Sequence, residues 1–198
     1  MIEVEIRAKR FGGQPVLGPI RFAIARGETV ALLGPSGIGK TTLLRIVTGI
    51  DTAFEGRVKR PEAQAIVFQE PTLLPWRTAL DNLLLVHPGL APERARAALE
   101  SVGLGGKEDQ FPGQLSLGQQ RRLSVARAFA GNPELLVMDE PFVSLDAEAA
   151  QVMLSLTRDL IAEHRPATLF VTHAPGEAEA LADRVLRMRA TPSGAELA

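Results

Sequence analysis

The 198 residues can bury a sizeable core as one domain with a smaller inserted subdomain, and are too few for two independent domains. A composition of 45% hydrophobic and 23% charged residues argues against disorder or a fibrous fold, and the absence of cysteine excludes disulfides, zinc–thiolate sites and cysteine nucleophiles. The net charge of -1, from 22 basic and 23 acidic residues, supplies no whole-protein field for a polyanion, so nucleic acid is not an expected partner.

The chain opens with Ile2-Glu3-Val4-Glu5-Ile6, whose alternation predicts a half-buried strand. A Gly12-Gly13 turn and a second alternating stretch at residues 20–24 follow, and together they read as an antiparallel flank. No secretory-signal pattern is visible, and the longest apolar runs fall far short of the roughly 20 residues of a membrane span. The expected location is therefore the cytoplasm, with any membrane contact made through another subunit. Apolar runs without alternation at residues 29–33, 64–68, 135–138 and 168–171 predict strands buried on both faces, as in a parallel sheet. Helical patterns at residues 40–47, 92–101, 117–130 and 147–163 alternate with them, which makes the fold α/β. Residues 71–130 carry helices and no convincing strand. The expected organisation is one domain: residues 1–69 and 131–190 as the core with its β flank, 70–130 as an inserted helical subdomain, and 191–198 as a loosely ordered tail.

Gly34-Pro35-Ser36-Gly37-Ile38-Gly39-Lys40-Thr41 has the spacing G-x-x-x-x-G-K-[ST], directly after one predicted strand and before one predicted helix. Its glycines let backbone N–H groups turn inward around phosphate oxygens, the helix N-terminus adds partial positive charge, and Lys40 can reach the outer phosphates. Thr41 can place its hydroxyl on Mg²⁺. This much establishes a nucleotide site and leaves a small-molecule kinase, a GTPase and a motor ATPase open. Further along, the strand at 135–138 ends in Asp139-Glu140, at the strand end where a parallel sheet meets its ligand. Asp139 is placed to hold Mg²⁺, and Glu140 to polarise a water for in-line attack on a γ-phosphate. Alone, such an acidic pair is more often a cap or a solvated turn.

Leu115-Ser116-Leu117-Gly118-Gln119 resembles the LSGGQ signature of the ABC ATPase family and lies upstream of Asp139-Glu140 at the family's spacing. The resemblance spans nearly the whole chain and implies a P-loop NTPase core with a mainly parallel sheet, an antiparallel β flank and an inserted helical subdomain. It implies ATP and Mg²⁺ as cofactors. Nucleotide contacts are implied for Phe11, Gly34, Pro35, Ser36, Gly37, Ile38, Gly39, Lys40, Thr41, Thr42, Ser116, Gly118 and Gln119. Phe11 stands where the family usually has an adenine-stacking tyrosine, Gln69 resembles the Q-loop glutamine, Ser144-Leu145-Asp146 the D-loop, and His173 the switch histidine. Catalytic roles are thereby implied for Glu140, His173, Gln69 and Lys40, and metal contacts for Thr41, Gln69 and Asp139. In the family, nucleotide is sandwiched between the phosphate loop of one copy and the signature of a second, head to tail. One departure is Leu117, where the family has glycine. A need for φ > 0 or close phosphate approach at that position disfavours leucine, whereas use of its N–H alone does not.

The segment with Phe68-Gln69, Leu73-Leu74-Pro75-Trp76, Thr78 and Asp81-Asn82 looks like importer ATPases of the nitrate, sulfonate and taurine group. Its apolar residues and paired prolines could form a rigid anchor for a membrane subunit, or could simply pack the subdomain. The implied function is the ATP-hydrolysing subunit of an importer, at the cytoplasmic face of the membrane, with permease subunits and an extracytoplasmic binding protein as partners. The alternatives are the ATPase of an exporter, or a non-transport ABC regulator, which would call for basic patches or tandem cassettes.

Overall fold

Strand β4 (Thr29–Leu33) is buried at every position, and so is β8 (Ala167–Thr172), in the computed structural model, which describes residues 1–198. With β7 (Leu135–Asp139), these strands have no solvent face because helices cover both sides of the sheet. Val30, Leu32, Leu135, Val137, Leu169 and Val171 pack against Leu43, Leu44, Ile46 and Val47 of α1 (Lys40–Thr48). Ala31, Leu33, Leu136, Met138 and Phe170 face the opposite layer, built from α4 (Leu117–Ala130) and α5 (Ala147–His164). The two layers follow from the two-residue period of the strands.

The remaining strands are β1 (Ile2–Phe11), β2 (Gln14–Leu17), β3 (Ile20–Ile24), β5 (Glu55–Lys59), β6 (Gln64–Val67), β9 (Arg184–Thr191) and β10 (Gly194–Leu197). The sheet order is β3-β1-β2-β10-β9-β4-β8-β7-β6, with β5 added to β1. Strands β9, β4, β8, β7 and β6 pair parallel, and β1 pairs antiparallel with β2, β3 and β5. The parallel core and the antiparallel flank are those expected from the sequence. In-register pairs Leu33↔Thr172, Asp139↔Val171 and Val67↔Met138 bring the C-terminal ends of β4, β8, β7 and β6 to one edge. A parallel sheet binds its ligands there.

Between β6 and β7 lie α2 (Ala79–Leu84), α3 (Pro92–Ser101), a 3₁₀ turn at Pro112–Gln114 and α4, with no strand. The four long helices of the sequence reading are present with ends shifted by at most one residue, α1 extending to Thr48 and α5 to His164. Helix α6 (Pro175–Leu181) was not expected. No helix is long and apolar enough to cross a membrane.

The expected tail at 191–198 is a correction. Thr191 ends β9, and Gly194–Leu197 forms β10, antiparallel to β9 and bridged to Leu17 of β2, with Ala195 buried. Its Thr191-Pro192-Ser193-Gly194 composition reads as a tail because it is a hairpin turn, in which Thr191 Oγ1 donates to Gly194 O. The core therefore continues past residue 190. Strand β5 was also missed, for a different reason: Glu55-Gly56-Arg57-Val58-Lys59 is mostly exposed and has no apolar face to betray it.

Lys9 is 2% exposed, and its ammonium donates to Asp51 Oδ1 at 2.8 Å and Ala53 O at 2.7 Å. The hydrogen bond from Lys9 holds the Asp51 carboxyl below its usual range, against an opposing contribution from burial. A depressed carboxyl contributes stability that is present above the unfolded-state value and lost as pH falls through the folded one. Asp51→Ala is expected to cost about 3 kcal/mol, because it strands a buried ammonium. Thermal melts should show that penalty at neutral pH and a shrinking one below about pH 4. Equal penalties at both pH values would contradict this reading.

Candidate functional site

The loop leaving β4 is shaped by two left-handed glycines, Gly37 (φ +77) and Gly39 (φ +110), a conformation that L side chains resist. A Cβ on Gly39 would also stand 2.9 Å from Leu17 of β2. Gly39 caps α1 without a side chain, so the first amides of the helix are left facing the loop. Lys40 follows at 5% exposure. Its Nζ donates to the carbonyls of Gly34 at 2.8 Å and Pro35 at 3.0 Å, and lies 3.8 Å from Glu140 Oε1.

Beside it, Thr41 Oγ1 donates to Asp139 Oδ2 at 2.9 Å. Burial pushes the Asp139 carboxyl up from its usual value, the Thr41 hydrogen bond pulls it down, and the neighbouring Glu140 charge adds to the rise. Glu140 itself has φ +46, in the left-handed region that glutamate rarely visits. Its N–H donates to Val171 O at 3.0 Å, which ties this backbone to β8. Its Oε2 lies 3.3 Å from Nδ1 of His173, an exposed side chain just past the end of β8. Three strands thus bring Lys40, Glu140 and His173 together from positions far apart in the chain.

Of the residues expected in the site, Ser36, Gly37, Gly39, Lys40, Thr41 and Thr42 line one polar hollow of about 390 Å³, joined by Gln69 and Glu140. Gly34, Pro35 and Ile38 form its frame instead: Ile38 N–H donates to Pro35 O, and Ile38 packs on the core. Thr41, Gln69 and Asp139 share the wall of an adjoining hollow. No cluster of three acidic, histidine or cysteine side chains is present that could cage a metal. One carboxylate, one hydroxyl and one amide oxygen suit Mg²⁺, which usually keeps few protein ligands and completes its shell from phosphates and water.

Phe11 ends β1 at 53% exposure, with the Lys9 ammonium 4.4 Å from its ring centroid. It is neither core nor part of the hollow. Ser116, Gly118 and Gln119 also lie outside the lining of that hollow, at the start of α4. There Ser116 Oγ accepts from Gln119 N–H at 3.3 Å, and Gln119 Oε1 accepts from Ser116 N–H at 2.9 Å. This capping box leaves the N–H groups of Leu117 and Gly118 without a partner in the chain. Leu117 is the first helical residue, and neither it nor Gly118 is left-handed, so the position demands no glycine backbone. Asp146 caps α5, accepting from Ala149 N–H at 2.8 Å.

Three contacts around the site were not read from the sequence. Thr172, beside His173, donates to Glu177. Arg127 of α4 donates to Thr72 O at 2.7 Å, three residues past Gln69. Arg121 of the same helix donates to Pro141 O at 2.9 Å, next to Glu140. Arginines within a helix of mixed composition read as solvated, and only the fold shows where they end.

A family model described as ABC transporter matches residues 17–143. The chain is 46% identical over 182 residues to the aliphatic sulfonates import ATP-binding protein SsuB 3 of Paraburkholderia xenovorans, covering 91% of this chain and 74% of that protein. It is 48% identical over 189 residues to SsuB 2 of Nocardia farcinica, covering 94% and 79%. Among solved structures it is similar to the dimer of an ATP-binding cassette in a post-hydrolysis state bound to ADP and Pi. The TM-score there is 0.82 at 27% identity, over 100% of this chain and 96% of that one. An inward-facing metal-chelate type ABC transporter gives a TM-score of 0.84 at 26% identity, over 100% and 82%.

Proposed function

Because this chain belongs to the ABC transporter family, we propose that it is the ATP-binding and ATP-hydrolysing subunit of an importer that works through separate permease subunits. One observation carries the reading: Lys40, Glu140 and His173 converge at the mouth of a phosphate-shaped loop, with Thr41 and Asp139 paired beside them. ATP binds with its phosphates in the loop, where Lys40 and the amides of α1 turn to them. Thr41, Asp139 and Gln69 would hold Mg²⁺, which would supply charge neutralisation on the outer phosphates. Glu140 takes the proton of the attacking water, and His173 orients that carboxylate and the γ-phosphate. The start of α4, with the amides of Leu117 and Gly118 and the hydroxyl of Ser116, receives the nucleotide of a second copy, head to tail. The core comprises residues 1–69 and 131–198, and the helical subdomain residues 70–130.

The permease docks on the subdomain side of the Q-loop. Asn82, fully buried, accepts from Leu74 N–H at 2.8 Å and donates to the carbonyls of Leu74, Arg77 and Thr78, so the turn that presents Trp76 is stapled from beneath. Trp76 is left 67% exposed, an expensive place for indole unless another surface covers it. Its company of sulfonate-import relatives makes an aliphatic sulfonate the first cargo to test, delivered by an extracytoplasmic binding protein, with this subunit at the cytoplasmic face. Co-expression with any permease encoded beside it should give a complex that imports in an ATP-dependent manner. Trp76→Ala should lower recovery of the permease at least tenfold in a pull-down, as loss of a central aromatic anchor does. Full recovery with Trp76→Ala would remove the docking assignment, and failure of any permease to co-purify with the parent chain would count against import.

A further inference from the structure

Arg121 is 7% exposed, and it pairs with no carboxylate. Its one recorded hydrogen bond runs from Nη1 to the carbonyl of Pro141 at 2.9 Å, while its Nε is buried without a partner. A guanidinium cannot escape this cost by losing its proton, and burial lowers its pKa without discharging it. For the fold alone, an apolar side chain of similar length would serve better at this position. The carbonyl it holds belongs to the residue after Glu140, in a turn whose two ends, Glu140 (φ +46) and Ser144 (φ +61), are both left-handed. Such backbone persists only where the surroundings over-determine it. Phe142 pins the middle of the turn in the core, edge-on to Phe170, and the Glu140 N–H is pinned to Val171. Within the turn, Val143 N–H donates to Glu140 O at 3.3 Å, and Arg121 adds a side-chain hold on Pro141 from the helix that starts at Ser116.

We infer that Arg121 is a positioning residue for hydrolysis: by holding the Pro141 carbonyl it keeps the Glu140 carboxylate aimed at the attacking water. This rests on the reading of Glu140 as the base, and it assigns Arg121 no contact with ATP. A small misplacement of a reacting group is costly in rate while leaving ligand binding intact.

The test compares Arg121→Met, Arg121→Gln and Arg121→Lys in the full chain, with Glu140→Gln as the control, reading ATP turnover, affinity for a fluorescent ATP analogue, and thermal melting. Arg121→Met, which keeps the length and loses the donors, should lower kcat tenfold or more with analogue affinity within twofold of the parent and melting unchanged or raised. Arg121→Gln should behave similarly, and Arg121→Lys, which can still donate, should recover part of kcat. If Met and Gln retain parental kcat while Glu140→Gln abolishes it, the positioning role fails and the base assignment stands. If Glu140→Gln retains turnover, the reading beneath it fails. Parallel losses of kcat, affinity and melting temperature in both Met and Gln would make Arg121 a structural residue and overturn the inference.

Discussion

Glu140→Gln is expected to lower ATP turnover by about 10²–10⁴-fold, the usual contribution of a general base, while leaving ATP affinity equal to or tighter than that of the parent. The substitution keeps the side chain's shape, so the left-handed backbone at φ +46 and its bond to Val171 are not disturbed. It removes a negative charge 3.8 Å from Lys40 and 3.3 Å from His173, freeing both groups for the γ-phosphate. It also relieves Asp139. Burial is the main reason that carboxyl is raised, but the Glu140 charge adds to it, so the Gln variant should hold its Asp139 anion more readily and bind Mg²⁺ at least as well. Steady-state phosphate release and equilibrium binding of a fluorescent ATP analogue separate the two effects. Parental turnover in this variant would take the catalytic role from Glu140.

Lys40→Met should act on the other side of the same divide, weakening ATP binding roughly 10- to 100-fold, since a hydrogen bond to a charged group contributes about 1.5–3 kcal/mol. Methionine fills the space of the lysine stem, so the loop should stay packed although two donors to Gly34 O and Pro35 O are lost. Because the carbonyls lie in a partly exposed loop, water can satisfy them. Turnover falls further than binding, since Lys40 also faces charge that develops on the transferred phosphoryl group. Isothermal titration with ATP and Mg²⁺ measures the first loss. Affinity within twofold of the parent would place the phosphates elsewhere.

Much of this site can be read without coordinates, because its parts are short-range patterns attached to strong strand signals. Gly37, Gly39, Lys40 and Thr41 follow a strand with five buried residues, and Asp139-Glu140 ends another, so spacing and context suffice. Helix α4 is legible from Ser116 and Gln119, which form the capping box their spacing suggests. What sequence hides is long-range. The left-handed state of Glu140 comes from a turn held at Val171, Phe170 and Arg121, none of them neighbours in the chain. The terminal strand β10 reads as a tail because the turn joining it to β9 has the composition of a loose end, and its second partner, β2, lies at the opposite end of the sequence. Leu117 shows the converse: a departure from the family pattern that sequence leaves open, and of which a helical backbone at N1 removes one objection, the need for a left-handed residue.

The proposed function requires this chain to carry two halves of different nucleotide sites, the cradle of Lys40 and Glu140 and the capped start of α4, which a second copy completes. Sedimentation of the Glu140→Gln chain with and without ATP and Mg²⁺ tests that claim most directly. A shift from monomer to dimer with one nucleotide bound per chain, abolished by Ser116→Arg at the start of α4, is the result expected. A chain that binds ATP and remains monomeric at every concentration would contradict it.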